Sequence, residues 1–112
     1  MESIRQERIN NLIQKDLGEI FQREMNHVSH GAMITVTKVK VTPDLSLAKV
    51  YLSLFATDEK EAVLKSIKKH KSEIRGKLGS RIKNQLRSIP ELIFYLDDSL
   101  DYIERIDELL SE

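Results

Sequence analysis

Residues 33–55 read MITVTKVKVTPDLSLAKVYLSLF, two apolar-alternating runs around one short turn, and this stretch decides the fold. Residues 33–41 are rich in β-branched types, which suit a pleated, half-buried strand. Thr42-Pro43-Asp44 supplies the turn, with Pro43 fixing its own φ and donating nothing to a ladder. From 47 to 55, Ala48, Val50, Leu52 and Leu54 alternate with Lys49, Tyr51 and Ser53, which predicts a second strand with one buried face. So short a connection predicts an antiparallel hairpin.

Helical periodicity flanks the hairpin. Over residues 4–26, Ile9, Leu12, Ile13, Leu17, Ile20, Phe21 and Met25 recur mostly at three- and four-residue steps, predicting an amphipathic helix. His27-Val28-Ser29-His30-Gly31 is its exit turn. Asp58 with Glu61 predicts the next helix start, an oxygen cap with an acid at the positive end of the dipole. Val63, Leu64, Ile67, Ile74, Leu78, Ile82 and Leu86 carry the stripe onward, but His70 and Lys71 fall where it wants an apolar group. Gly76 and Gly79 weaken the segment by roughly 1 kcal/mol each relative to Ala. Residues 58–88 therefore predict two helices joined by a bend, at 70–72 or at 76–79. Pro90 ends the second, residues 91–97 predict a third strand, and Ser99 predicts the cap of a short C-terminal helix. The order is α-β-β-α-α-β-α. It describes an α+β fold, a three-stranded sheet with helices on one face. No repeat or linker divides residues 1–112, so a single domain is expected.

Composition excludes several classes. The chain has no cysteine, so disulfides and thiolate metal sites are ruled out. The opening MESIRQERINN has no apolar leader core and no stretch reaches membrane-spanning length, so a cytoplasmic protein is expected. The net charge of zero conceals a segregation along the chain. Residues 65–90 hold nine Lys/Arg against one acid, Glu73, whereas residues 91–112 hold eight acids against Arg105 alone. A basic block of this kind points to a polyanion partner on one face.

The cations of that block are Lys65, Lys68, Lys69, Lys71, Arg75, Lys77, Arg81, Lys83 and Arg87. With apolar residues filling one helix face, these must cover the rest. Too few acids are near for i,i+4 neutralisation, and such a surface gains affinity by releasing counterions from nucleic-acid phosphates. Gly76-Lys77-Leu78-Gly79 is a literal G-x-x-G. Such a loop brings backbone close to nucleic acid in KH domains, yet Leu78 sits on the apolar stripe as a buried helical residue would. Tyr51 and Tyr95 are candidates for base stacking, against the commoner role of packing on a sheet. His27-x-x-His30 has no third ligand near it in the sequence, so no metal site is expected. The acids Asp97, Asp98, Asp101, Glu104, Asp107 and Glu108 fit a helix dipole and a solvated face better than a nuclease centre. GKLGS lacks phosphate-loop spacing, and no Ser or Thr has a His/Asp partner by sequence. An enzyme is not expected.

Three stretches of the sequence resemble the ribosome-binding factor A family of bacterial small-subunit assembly factors. Arg5 and Arg8 correspond to that family's spaced arginines. Asp44-Leu45-Ser46-Leu47-Ala48-Lys49-Val50-Tyr51 matches its D-L-x-x-A-x-V-Y turn and strand. The run from Arg87 to Ser99, RSIPELIFYLDDS, matches R-x-x-P-E-L-x-F-x-x-D-x-S. The resemblance implies a KH-like fold, and the order α-β-β-α-α-β read above is the KH type II order. It further implies binding to small-subunit ribosomal RNA in the immature 30S particle, support of late maturation and 16S rRNA processing, and efficient assembly in the cold. No catalytic activity and no cofactor are implied. The protein is expected to be a monomer when free. The family carries an A-x-G helix bend in place of G-x-x-G, whereas this chain has His70-Lys71-Ser72 at the corresponding place.

Arg5, Arg8, Lys68, Lys69, Lys71, Arg75, Lys77, Arg81, Lys83 and Arg87 are thus the candidate RNA-binding residues. Two rival readings remain at this point: a module whose basic face meets an acidic protein, and a metal-dependent nuclease built on the C-terminal acids.

Overall fold

The computed structural model describes residues 3–97. Helix α1 (Ile4–Arg23) opens with a reciprocal cap. Gln6 N–H donates to Ser3 Oγ at 3.1 Å, and Ser3 N–H donates to Gln6 Oε1 at 2.9 Å. A single helical turn, α2 (Asn26–Ser29), follows where the sequence predicts only an exit turn. It closes through His30 at φ 53° and Gly31 at φ 84°, left-handed positions of which glycine takes the second without strain.

Strands β1 (Met33–Val41) and β2 (Leu47–Phe55) form the expected antiparallel hairpin. Asp44 organises the turn. Its Oδ1 accepts from Thr42 Oγ1 (2.7 Å), Ser46 Oγ (2.8 Å) and Ser46 N–H (3.1 Å). These bonds, that from Thr42 foremost, hold its carboxyl below the usual range. Leu45 accepts a left-handed φ of 62° and packs its side chain on the core. A bulge between Val36 and Lys38 changes the strand's phase. Ile34 and Val36 face inward before it, and Val39 and Val41 face inward after it. Without the extra residue, Lys38 and Lys40 would point into the core.

Helices α3 (Lys60–Lys69) and α4 (Lys71–Ile82) cross over to β3 (Glu91–Leu96), which lies parallel to β2 in the sheet order β1-β2-β3. The N-cap residue of α3, Glu59, makes no side-chain cap bond. Thr57 Oγ1 accepts from Glu59 N–H instead, so the Asp58 cap predicted from sequence is replaced by a local turn. The bend falls at His70 (φ −98°, ψ 19°), the first of the two places left open. Its ring competes for the helical carbonyl of Ser66, with Nδ1 2.8 Å away. Gly76 and Gly79 lie inside α4, and Leu78 between them is fully buried. The G-x-x-G is helix, not loop.

The inward side chains of the sheet meet α1, α3 and α4 in one core. Ile13, Leu17, Ile20, Met25, Leu52, Ile67, Ile74, Leu78, Ile82 and Leu92 are all inaccessible to solvent. The expected KH-like arrangement, α-β-β-α-α-β, is present with α2 added. The predicted C-terminal helix lies outside the described residues. Among the described residues no helix is long and apolar enough to cross a membrane.

Candidate nucleic-acid interface

The same apolar stripe that buries Ile74, Leu78 and Ile82 sets where the cations of α4 point. They do not share one environment. Arg81 turns back onto α1, where its guanidinium meets Asp16 at 3.4 Å, Glu19 at 2.5 Å and Glu24 at 3.6 Å. The hydrogen bond from Arg81 holds the Glu19 carboxyl below its usual range, and Glu19 in turn raises Arg81. Lys77 approaches Glu24 at 3.7 Å on the same side. Two of the predicted cations are therefore already partnered by acids more than fifty residues away in sequence.

Arg75 has a different task. Its Nη2 donates to the Ile89 carbonyl at 2.6 Å and its Nε to the Pro90 carbonyl at 3.1 Å. It thereby holds the segment that leads into β3 against α4. Gly79 permits the close approach: a Cβ there would stand 3.3 Å from Ile89 Cγ1. Between this segment and α4 runs an open groove of about 750 Å³, lined by Lys71, Ser72, Arg75, Gly76, Gly79, Arg87, Ser88, Ile89 and Glu91. Three predicted cations come together here. Gly76 leaves helix backbone bare along one wall, and Ser72 and Ser88 add hydroxyls. Fixed positive charge, hydroxyl donors and a bare wall suit a phosphate backbone better than an apolar ligand.

Lys68 and Lys69 stand exposed on the last turn of α3, immediately before the bend, and Lys83 stands exposed just beyond α4. Arg5 and Arg8 are exposed on α1. Gln6 donates to the Val41 carbonyl and Asn10 accepts from Val41 N–H, which fixes this end of α1 beside the hairpin turn. Glu91 N–H donates to the Ser46 carbonyl at the same turn. The arginines of α1 and the 87–91 segment thus share one end of the sheet, a proximity invisible in the sequence.

A second charged surface escaped the sequence reading. The outer sheet face carries Lys38, Lys40 and Lys49 around Tyr51 and Tyr95, whose rings stack with centroids 5.3 Å apart. Lys38 Nζ lies 5.7 Å from the Tyr51 ring centre. The shift of apolar positions from even to odd numbers across Val36 and Val39 was the signal that would have found it. The tyrosines pack on each other across β2 and β3, the commoner of the two roles considered for them. His27 does not pair with His30; it lies beside Glu73 and His70.

Comparison with known proteins extends these observations. The family model described as ribosome-binding factor A matches residues 5–110. A ribosome-binding factor A from Cytophaga hutchinsonii is 46% identical over 112 residues, covering 100% of this chain and 84% of its own. The crystal structure of ribosome-binding factor A from Thermus thermophilus superposes with a TM-score of 0.68 at 21% identity, over 81% of this chain and 93% of that one. A homology model of the Thermus factor, fitted into an electron-microscopy map of a complex with the 30S subunit, gives 0.64 at 21% identity, over 80% and 91%.

Proposed function

Because the chain belongs to the ribosome-binding factor A family, we propose that it is a non-catalytic assembly factor for the small ribosomal subunit. It binds immature 30S particles through their rRNA and supports late maturation and processing of 16S rRNA, especially in the cold. It acts in the cytoplasm as a single KH-like domain spanning residues 1–112, a monomer when free. The fit of the Thermus factor into a map of a 30S complex supports the choice of partner.

The observation that carries the RNA reading is the groove between α4 and the 87–91 segment, where Lys71, Arg75 and Arg87 converge on bare helix backbone. Lys68, Lys69 and Lys83 extend the positive surface beyond the groove, and Arg5 and Arg8 supply cations at the end shared with the hairpin turn. Arg75 contributes field while its donors hold the loop; Lys77 and Arg81 contribute less, because acids of α1 offset them. A protein without a catalytic constellation acts on RNA by differential binding, favouring one conformer of its target over another. An immature subunit offers such conformers.

Binding should weaken steeply with salt. With roughly three to five phosphates neutralised, log K against log salt falls with a slope of about −2 to −4. A fluorescence titration of the protein against immature 30S particles measures it, and a flat dependence would overturn the phosphate-groove reading. In cells, deletion should accumulate immature small subunits and unprocessed 16S rRNA, more so at low temperature. Normal subunit profiles in the cold would overturn the assembly role while leaving RNA binding intact.

A further inference from the structure

His27-x-x-His30 lacks a third ligand in the sequence, and the fold supplies one from elsewhere while setting His30 aside. Helix α2 brings His27 against the α3–α4 bend. There one ligand atom each from His27, His70 and Glu73 lies within 4.8 Å of the other two. His27 Nε2 is 3.2 Å from both carboxylate oxygens of Glu73. The two imidazoles meet edge to face with centroids 5.5 Å apart. His70 and Glu73 are three residues apart at the start of α4, so the helix presents them on one side.

His70 is also oriented from behind. Its Nδ1 donates to the Ser66 carbonyl at 2.8 Å. That bond fixes the tautomer and leaves a lone pair on Nε2, the outer-shell arrangement usual for metal-bound histidines.

We propose that His27, His70 and Glu73 form a binding site for a divalent transition metal, with zinc as the matching ion. Two imidazole nitrogens and one carboxylate oxygen are a donor set zinc takes at bonds of about 2.0–2.2 Å, with water in the fourth tetrahedral position. Such bonds set ligand atoms roughly 3.3 Å apart. His27 and Glu73 already stand at that separation, and no pair among the three needs to close by more than about 1.5 Å, a side-chain rotation. The side chains of His27 and Glu73 are 53% and 39% exposed, so both can turn and an ion can enter from solvent. Magnesium and calcium are poor candidates, because these hard ions seek cages of oxygen ligands. Zinc here would clip α2 to the bend between α3 and α4, a stabilising role and not a catalytic one.

The competing account is an exposed His–Glu hydrogen bond with a neighbouring ring and no metal. Isothermal titration of the chelator-treated full-length protein with zinc chloride separates the two. One saturable site per chain is expected, with millimolar magnesium unable to displace zinc. His27→Ala, His70→Ala and Glu73→Gln should each weaken it by about tenfold or more, whereas His30→Ala and Glu61→Gln leave it unchanged. Circular dichroism verifies that each variant is folded. At a tenfold zinc excess over Kd the thermal midpoint should rise by roughly 5 to 10 °C in the wild type and not in Glu73→Gln. Absence of a saturable site overturns the proposal, as does equal zinc affinity of wild type and Glu73→Gln. A loss in His30→Ala as large as that in His70→Ala overturns this ligand set.

Discussion

Arg81 and Arg87 lie six positions apart in the same cationic run and end in opposite surroundings. Arg81 is held by three carboxylates of the α1 segment, Asp16, Glu19 and Glu24. Arg87 is exposed at a groove with Lys71 and Arg75, and no carboxylate among the described residues pairs with it. Charge counted along a sequence treats the two alike. In the folded chain one joins helix to helix, and the other remains available to a polyanion. An internally paired cation adds little to the outward field, because its partners' field nearly cancels its own beyond a few ångströms.

The largest test of this contrast reverses the groove. Lys71→Glu with Arg87→Glu should weaken binding to immature 30S particles on the order of 100-fold, since it replaces attraction with repulsion at two places proposed to face phosphate. The circular dichroism spectrum should stay near wild type and the urea midpoint should fall only slightly, since Arg87 is exposed and Lys71 half-buried. Undiminished binding by this folded variant would move the RNA contact to another face, with the outer sheet lysines the next surface to examine.

Arg81 should give the converse result. Arg81→Glu places a fourth acid among Asp16, Glu19 and Glu24, so it should lower the urea midpoint. The folded protein should lose less than about threefold in RNA affinity, the scale of a screened charge. The pH dependence sharpens the point. The Arg81 bond depresses the folded-state pKa of Glu19, so this contribution is full above the ordinary carboxylate range and is lost as pH falls through the folded value. Stability of wild type over Arg81→Met should therefore be greatest near neutrality and shrink on acidification. Asp44, depressed by Thr42 and Ser46, adds a loss of the same sign that both proteins share. A wild-type advantage that grows in acid would mean that the pair does not join α1 to α4.

The smallest test lies within the G-x-x-G itself. Gly76 is helical with open space where a Cβ would go, so Gly76→Ala should stabilise the protein by about 0.5–1 kcal/mol. At Gly79 the added Cβ meets Ile89 at 3.3 Å, beside the carbonyls that Arg75 holds. Gly79→Ala should forfeit that gain and loosen the groove. Equal stabilisation in urea titrations of the two variants would show that the 87–91 segment does not press on α4.

Legibility followed the range of the interactions. The hairpin was readable because a period of two over nine residues admits one pleated solution with Val50 and Leu52 inward. The bend was half readable. A broken stripe at His70 and two glycines were equally good local signals, and only the burial of Leu78 together with the Ser66–His70 bond separated them. The cap of α3 was misread because Asp58 is a good capping residue in isolation, yet Thr57 had already taken the nearby amide of Glu59. The bulge was legible in principle, from the shift of inward positions between Val36 and Val39.

By itself the sequence determined the class of fold, the element order from α1 to β3 apart from the added turn α2, the absence of thiol chemistry and the existence of a cationic stretch. Those follow from periodicity and composition, which act within a few residues. Only the tertiary structure decided which cations are spent inside the molecule, which converge on a groove, and which histidine His27 meets. Such outcomes depend on groups fifteen to sixty-five positions apart, as in Arg75 with Pro90 and Arg81 with Asp16. Close electrostatic and hydrogen-bond energies fall off within ångströms. They are therefore set by where packing brings side chains, and no spacing along the chain records that.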